Sequence, residues 1–384
     1  MPWKETRPVD ERVRFIAAIN ESDETFAALC RRFGISRKTG YKWAARFEEL
    51  GPSGLDARPP VAQTCPHRVA DDVTDVIVTL RKERPTWGPK KLRELLLTRG
   101  IASPAASTIG DILKRNGLIR PRRRRVRVPI HLEPMSLGEH PNDVWCVDFK
   151  GHFALGDRTR CHPLTLTDHA SRYVLLCEGM HEPKGDVVQQ QLDRAFREFG
   201  MPARLRSDNG PPFASTGVGG LSALSVHCIK LGVTPERIEP GQPQQNGRHE
   251  RMHKTLKQET ASPPAATLVD QQRSFDRFRH DFNDVRPHEA LAMKTPSSRY
   301  TPSRRVRPSK PTSPEYSDSM KTRRLDENGR LHFNNGKILV TRLLAGEPVG
   351  LEEVDEDIYE LHYGPVLLGE IHVRGKELRL ERVG

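Results

Sequence analysis

Residues 120–129 read "RPRRRRVRVP", six arginines in ten positions. Basic charge this dense cannot be buried without partners, so the stretch does not fold by itself, and ordered domains must be assembled on either side of it. On the N-terminal side the apolar residues recur at helical spacing. From Val9 to Leu50 they fall into two pieces split at "RFGIS", a helix-turn-helix pattern. The first helix carries Val13, Ile16, Ala17 and Ile19, the second Phe26, Leu29 and Cys30. The third starts after Ser36 as N-cap and carries Tyr41, Trp43 and Phe47. Gly40 inside that third helix costs about 1 kcal/mol relative to alanine, which weakens it there. A Pro- and Gly-containing linker, "GPSGLDARPPVAQTCPHR", leads into a second helical unit from Asp71 to Leu118, where Ser107 or Thr108 can cap a last helix ending in Lys114 and Arg115.

On the C-terminal side the period changes. Strands fit "DVWCVDFKGHF", "CHPLTLTD", "RYVLLCEG", "ARLRSD" and "VTPERIEP", and helices fit "GDVVQQQLDRAFREFG", "LSALSVHCIKLG", "QQNGRHERMHKTLKQET" and "LVDQQRSFDRFRHDFNDV". A meander of three strands followed by alternating helices and strands implies a mixed α/β sheet with helices on both faces. Residues 301–326 are rich in proline and basic residues and read as an extended linker. The remaining alternating segments, such as "KILVTRLL" and "VLLGEIHV", suggest a small β-barrel over 327–384. The expected domains are therefore a helix-turn-helix unit (1–58), a second helical unit (67–120), a basic linker (121–140), an α/β core (141–300), a Pro/basic linker and the β-barrel.

Charge narrows the partner. With 62 Lys and Arg against 50 Asp and Glu, the net charge is +12. A polyanion is the expected partner, nucleic acid before a ribosomal or membrane-surface role, because each neutralised phosphate releases counterions. In a DNA-binding reading Arg37, Lys38 and Lys42 face a major groove, and Arg122, Arg123, Arg124 and Arg125 track a phosphate backbone. A small helical bundle and a solvated charge run remain the alternatives. The six cysteines are scattered without metal spacing, and no apolar run has the roughly 20 residues of a membrane span. A cytosolic chain with reduced cysteines, no membrane attachment and no small-molecule substrate is expected.

Three acids carry the chemistry. Alternation in "DVWCVDFK" sets Asp148 on the face opposite Trp145, Val147 and Phe149, in a strand of otherwise core quality. It needs a cation, a metal or a strand end open to water; a frayed strand with a surface Asp is the alternative. Asp208 follows the strand "ARLRS" at a turn, where open α/β sheets hold ligands, although Asp-Asn-Gly is usually only a turn. Glu250 sits among bases in "PGQPQQNGRHERMHKTLK". At 100° per residue Lys254 and Lys257 share its helix face, with His253 within about 60° and Met252 and Leu256 opposite. Taken alone, that face is also a stabilising surface pair. Together, two Asp and one Glu can hold two Mg²⁺ ions for in-line phosphoryl displacement, with His253, Lys254 and Lys257 on DNA phosphates.

"WCVDFKG", "LRSDNGPPF" and "PGQPQQNGRHERMHKTLK", in this order, resemble the catalytic core of the retroviral-integrase superfamily, in particular bacterial insertion-sequence transposases of the Asp-Asp-Glu type. The likeness spans almost the whole chain. It implies a ribonuclease-H-like core, two Mg²⁺ or Mn²⁺ ions, and cleavage at the inverted-repeat ends of a transposon. Joining of the 3′-hydroxyl ends to target DNA would follow, in a homo-oligomer on DNA. The catalytic and metal-binding residues it implies are Asp148, Asp208 and Glu250, and Lys257 matches a basic position often used on DNA. Asn209 through His249 leave 41 residues between the second and third acids. Many members leave about 35 there, and a Gly-rich loop, "ASTGVGGLSAL", can absorb the excess at small entropic cost. A nuclease of the same fold without joining, or a non-enzymatic DNA-binding protein, are the rival readings.

Overall fold

The computed structural model describes residues 8–56, 68–119, 135, 138–239 and 243–382. It divides into two compact units, 1–69 and 70–384.

The first unit holds three helices, α1 (Pro8–Glu21), α2 (Phe26–Arg32) and α3 (Arg37–Leu50), in the helix-turn-helix arrangement. Ser36 caps α3, its hydroxyl accepting from the Thr39 amide at 3.2 Å. The core is Phe15, Ile16, Leu29, Cys30 and Leu55. Val13, expected inside, is 50% exposed, because Phe15 and Ile16 set the buried stripe of α1. Tyr41 is also on the outside, its ring stacked on Phe26 at 4.3 Å. Gly40 has a packing reason: a Cβ there would lie 2.7 Å from Cys30 Sγ and 3.0 Å from the Phe15 ring. Only a bare backbone lets α3 approach this closely.

The second unit begins with α4 (Asp71–Glu83), α5 (Pro89–Thr98) and α6 (Ala106–Arg115), packed through Ile77, Leu80, Leu92, Leu96, Ile109 and Leu113. The last helix starts after Ala105, earlier than a Ser107 or Thr108 cap would allow. This module is docked on the α/β core. Arg84 pairs with Asp281, Lys90 with Glu289, and the buried Trp87 lies under the Arg84 guanidinium.

The core strands are β1 (Val144–Phe149), β2 (Phe153–Ala154), β3 (Arg160–Asp168), β4 (Val174–Met180), β5 (Arg204–Ser207) and β6 (Thr234–Arg237). The sheet runs β4-β3-β1-β5-β6, with β2 pairing the start of β3. Pairs among β1, β3 and β4 are antiparallel, and those among β1, β5 and β6 are parallel. Helices α7 (Gly185–Phe199) and α8 (Ala223–Lys230) bury Val188, Leu192, Phe196 and Cys228 against Trp145, Val147, Leu164 and Leu166 on one face. Helices α9 (Gly247–Thr260) and α10 (Leu268–His280) cover the other face with Met252, Leu256, Phe275 and Phe278 against Cys161, Val174 and Cys177. Alternation along β1 and β3 thus feeds two apolar layers. No helix among the described residues is long and apolar enough to cross a membrane, and the five described cysteines are buried and unpaired.

Residues 301–326 differ from an extended linker. Ser303 donates to the Phe199 carbonyl at 2.8 Å, Arg307 pairs with Asp193 at 2.9 Å, and Thr312 donates to the Lys230 carbonyl at 3.0 Å, so the segment is bound along the core. Its last residues form β7 (Lys321–Arg324). Strands β8 (Arg330–Phe333), β9 (Gly336–Leu339), β10 (Pro348–Asp355), β11 (Ile358–Tyr363), β12 (Val366–Arg374) and β13 (Glu377–Arg382) complete the C-terminal part. They do not close into the expected barrel. Five form an open antiparallel sheet, β13-β12-β11-β10-β7, while β8 and β9 pair only with each other and stack over it through Leu331 and Phe333. Period-2 alternation specifies strands with one apolar face, and a stacked hairpin buries that face as well as closure would.

This C-terminal core also takes in Val218, Leu221 and Ile229. The Gly-rich stretch between Asp208 and Glu250 is therefore packed against β12, and Lys230 pairs with Glu347 at 2.7 Å beside it.

Candidate active site

Asp148 is the fifth residue of β1, after four buried ones, and sits where the strand leaves the core with its side chain 21% exposed. The neighbouring parallel strand β5 pairs Arg206 with Cys146. Asp208 lies as far beyond Arg206 as Asp148 lies beyond Cys146, so the two acids follow adjacent strand ends. Asp208 turns the chain there: its Oδ1 accepts from the Gly210 amide at 3.2 Å, and the Asn209 side chain donates to the Ile238 carbonyl at 2.6 Å. Glu250 is exposed in the first turn of α9.

Asp148 feels its burial and the other two acids. Burial pushes the Asp148 carboxyl up to about 7, and the negative charges of Asp208 and Glu250 push in the same direction, against the Phe149 amide and the Lys150 ammonium.

Helix α9 is seated by polar contacts that the sequence reading does not anticipate. Thr165 and Thr167 alternate with Leu164 and Leu166 on β3 and put two buried hydroxyls under the helix. The Thr165 hydroxyl donates to the Asp148 carbonyl at 3.1 Å, and its oxygen lies 2.8 Å from His249 Nε2 and 2.6 Å from His253 Nε2. One hydroxyl has one proton, so with that proton given to the carbonyl both imidazoles donate through Nε2. His249 Nδ1 then accepts from the Thr167 hydroxyl at 2.7 Å. Burial holds His249 down to about 3 and His253 well below the usual histidine range, so both rings are neutral. The signal is present in the sequence as Thr-x-Thr on a strand and His-x-x-x-His on a helix, periods of 2 and 4 that can meet.

His253 is accordingly not on the DNA-facing surface. It is 3% exposed, on the inner face of α9 with His249, Met252, Leu256 and Thr260, whereas Lys254 and Lys257 are exposed beside Glu250. The helical wheel places His253 at the margin of the acidic face, and the position of the sheet decides which side of that margin is buried. Asp148, His249 and His253 also bring potential metal-ligand atoms within 4.8 Å of one another. His249 has both nitrogens in hydrogen bonds, which leaves Asp148 and His253 Nδ1.

Other nearby acids are structural. Glu236 pairs with the buried Arg206 at 2.7 Å, and Asp168, 1% exposed, accepts from the Asn142 amide and from the amide and hydroxyl of Ser171. In the first unit Arg37, Lys38 and Lys42 are exposed on α3. Arg122, Arg123, Arg124 and Arg125 lie outside the described residues.

Known proteins match several parts of the chain. Two models described as integrase core domain match residues 138–243 and 231–296, a helix-turn-helix domain matches 11–60, and a homeodomain-like domain matches 39–113. The chain is 32% identical over 224 residues to an uncharacterized 31.7 kDa protein of insertion element IS407 from Burkholderia multivorans, covering 58% of this chain and 78% of that one. It is 25% identical over 242 residues to the transposase InsD of insertion element IS2 from Escherichia coli, covering 59% and 78%. The magnesium-bound catalytic core of HTLV-2 integrase aligns over 42% of this chain and 99% of its own, at 17% identity and a TM-score of 0.34. With its matches to the integrase core and helix-turn-helix domains and its insertion-element relatives, the chain belongs to the Asp-Asp-Glu insertion-sequence transposases of the retroviral-integrase superfamily.

Proposed function

We propose that the chain binds the inverted-repeat ends of its element, cuts the DNA there and joins the resulting 3′-hydroxyls to target DNA. The observation that carries this reading is the placement of Asp148 and Asp208 at the ends of the adjacent parallel strands β1 and β5, with Glu250 exposed in the first turn of α9; burial, then Asp208 and Glu250, raise the Asp148 carboxyl. Such a set is unfavourable without cations, and its donors are hard carboxylate oxygens that suit Mg²⁺ or Mn²⁺. Asp148, Asp208 and Glu250 would hold two ions, which supply Lewis-acid stabilisation of attacking and leaving oxygens in phosphoryl transfer.

The protein's own groups do the rest. Arg37, Lys38 and Lys42 read or grip end DNA, and the arginines 122–125 follow its backbone. Lys254 and Lys257 hold phosphates beside Glu250, and the His249–Thr165–His253 contacts fix α9 over β1. Water attacks the end phosphodiester, one P–O bond forming and one breaking to free a 3′-hydroxyl. That hydroxyl then attacks a target phosphodiester, releasing a target 3′-hydroxyl, with no covalent protein–DNA intermediate. Two ends have to be joined together, so the active assembly is a dimer or larger on DNA.

Glu250→Gln tests the reading. The variant is expected to bind end DNA with unchanged affinity and to lose metal-dependent nicking and joining by at least a hundredfold, on the scale of a forfeited transition-state interaction of about 3 kcal/mol. Normal joining by this variant would sink the assignment. Nicking without joining by the wild type would favour a nuclease.

A further inference from the structure

A groove of about 1220 Å³ lies between the second helical module and α9. Arg81, Lys82 and Lys91 line it from the module, and Arg251, Lys254 and Arg286 from the core. Among the described residues no carboxylate lines it. A smaller cavity of about 90 Å³ adjoins it, sharing Lys91, Arg251 and Arg286 and adding Arg172 and Arg248. Among the described residues Asp168 is the one acid in that cavity wall, and its oxygens are taken up by Asn142 and Ser171.

The cations are held against their own repulsion. Arg172 stands at a turn with φ of 65°, in the left-handed region that non-glycine residues rarely adopt. Burial, Arg248 and Arg251 all lower its proton affinity. Burial and then Arg286 push the Lys91 ammonium down to about 8, against the pull of Glu259, Glu289 and Asp281. Arg286 is committed to Glu259 at 2.6 Å, and Arg248 donates to the His169 carbonyl at 3.0 Å. The charged side chains that line the trough are thus cations, with Glu259, Glu289 and Asp281 nearby offsetting Lys91 and Arg286 in part, which suits a chain of phosphates.

We propose that this groove holds the backbone of a DNA strand, one phosphate seating in the adjoining cavity among Lys91, Arg172, Arg248 and Arg251. The inference rests on the transposase reading and deepens it. Arg251 and Lys254 follow Glu250 by one and four residues, so a strand in the groove runs past the helix that carries the third carboxylate. The second helical module then acts as half of a clamp whose other half is α9, and neither half alone supplies the cavity's cations.

The test uses the full chain and a duplex carrying the element's end. Lys91→Gln with Arg251→Gln should weaken binding by tenfold or more at 0.2 M salt, and should lessen the slope of log K against log[salt] by about 0.9 for each phosphate no longer neutralised. Lys91→Arg with Arg251→Lys, which keeps both charges, should keep the slope. Arg194→Gln, on α7 at the opposite face of the sheet, should change neither quantity. An uncharged methylphosphonate walked along the DNA should weaken binding at each contacted phosphate in the wild type, and at one of those positions should add nothing in the double Gln variant. A variant that folded poorly would instead lose the effect at every position. If the double Gln variant binds with wild-type affinity and slope and every methylphosphonate position weakens it as it weakens the wild type, the groove carries no strand, even while the wild type joins ends normally. A wild type that neither binds nor joins end DNA overturns the transposase reading itself, and the groove proposal with it.

Discussion

The Nδ1 atom of His253 lies 3.7 Å from a carboxylate oxygen of Asp148. The ring's other nitrogen is fixed on Thr165, so what faces Asp148 is a neutral nitrogen lone pair. The histidine is therefore a neighbour of the acid rather than a cation for DNA. His253→Phe is expected to leave end-DNA affinity within about twofold, because a buried ring touches no phosphate, while lowering joining by roughly tenfold or more as α9 loses its anchor over β1. Lys254→Ala or Lys257→Ala should do the reverse at the binding step, reducing the salt slope by about 1 each. A binding defect in His253→Phe equal to that of the lysine variants would contradict the buried placement.

The Asp148 carboxyl gives a pH signature with a definite sign. Its folded value near 7 stands above the ordinary 3.8, so between those values the native protein keeps a proton that the unfolded chain has released. Stability from this group is then lost as pH rises from about 4 to about 7, and remains lost above that. In chelator, Asp148→Asn should be more stable than the wild type at pH 8 by up to about 4 kcal/mol and no more stable below pH 4. Urea unfolding across that range measures it, and a difference that does not vary with pH would refute the coupling. Divalent ions should remove the advantage.

Gly40→Ala sets two effects against each other. Helix propensity favours alanine by about 1 kcal/mol. The new methyl group would meet Cys30 Sγ at 2.7 Å and two phenylalanine rings at 3.0 and 3.1 Å, an overpacking that typically costs about 1–3 kcal/mol. A net destabilisation is expected, lowering the melting transition of the first unit and weakening end binding with it. A gain in stability would mean that α3 can move away from α1 and α2 freely.

Gly219 is constrained twice, by φ of 59° and by β12. An added Cβ would stand 2.8 Å from Leu368 Cδ2 and 3.1 Å from the Leu367 carbonyl oxygen. Gly219→Ala should destabilise the protein by about 2–3 kcal/mol, combining left-handed backbone cost with overpacking. Hydrogen exchange should then rise in β12 and in the segment around 214–221. Unchanged protection there would show that the two segments are not packed as one core.

Much of this architecture is legible in the chain. The strands and helices of the α/β core follow from period-2 and period-3.6 patterns, and Asp148 stands out because a core strand has little reason to carry an acid. What the sequence does not convey depends on partners distant in the chain. The wheel of α9 separates Glu250 from Met252, but only the threonines of β3 decide that His253 belongs with the latter. Alternation defines β8 and β9 without saying that they pair with each other and leave the larger sheet open. In "ASTGVGGLSAL" the glycines suggest a slack loop, since two or three apolar residues are too few to show a period. Val218 and Leu221 nevertheless serve the core of another part of the molecule.

That last feature alters what the interval between the second and third acids means. If the extra length were idle, a shorter version of this protein could be made by trimming it. Here the trimmed residues would be keystones: removing them strips Val218 and Leu221 from beneath the C-terminal sheet. A deletion across 218–221 would therefore cost the C-terminal core as well as shorten this interval. The seat of the C-terminal sheet would have to be rebuilt at the same time.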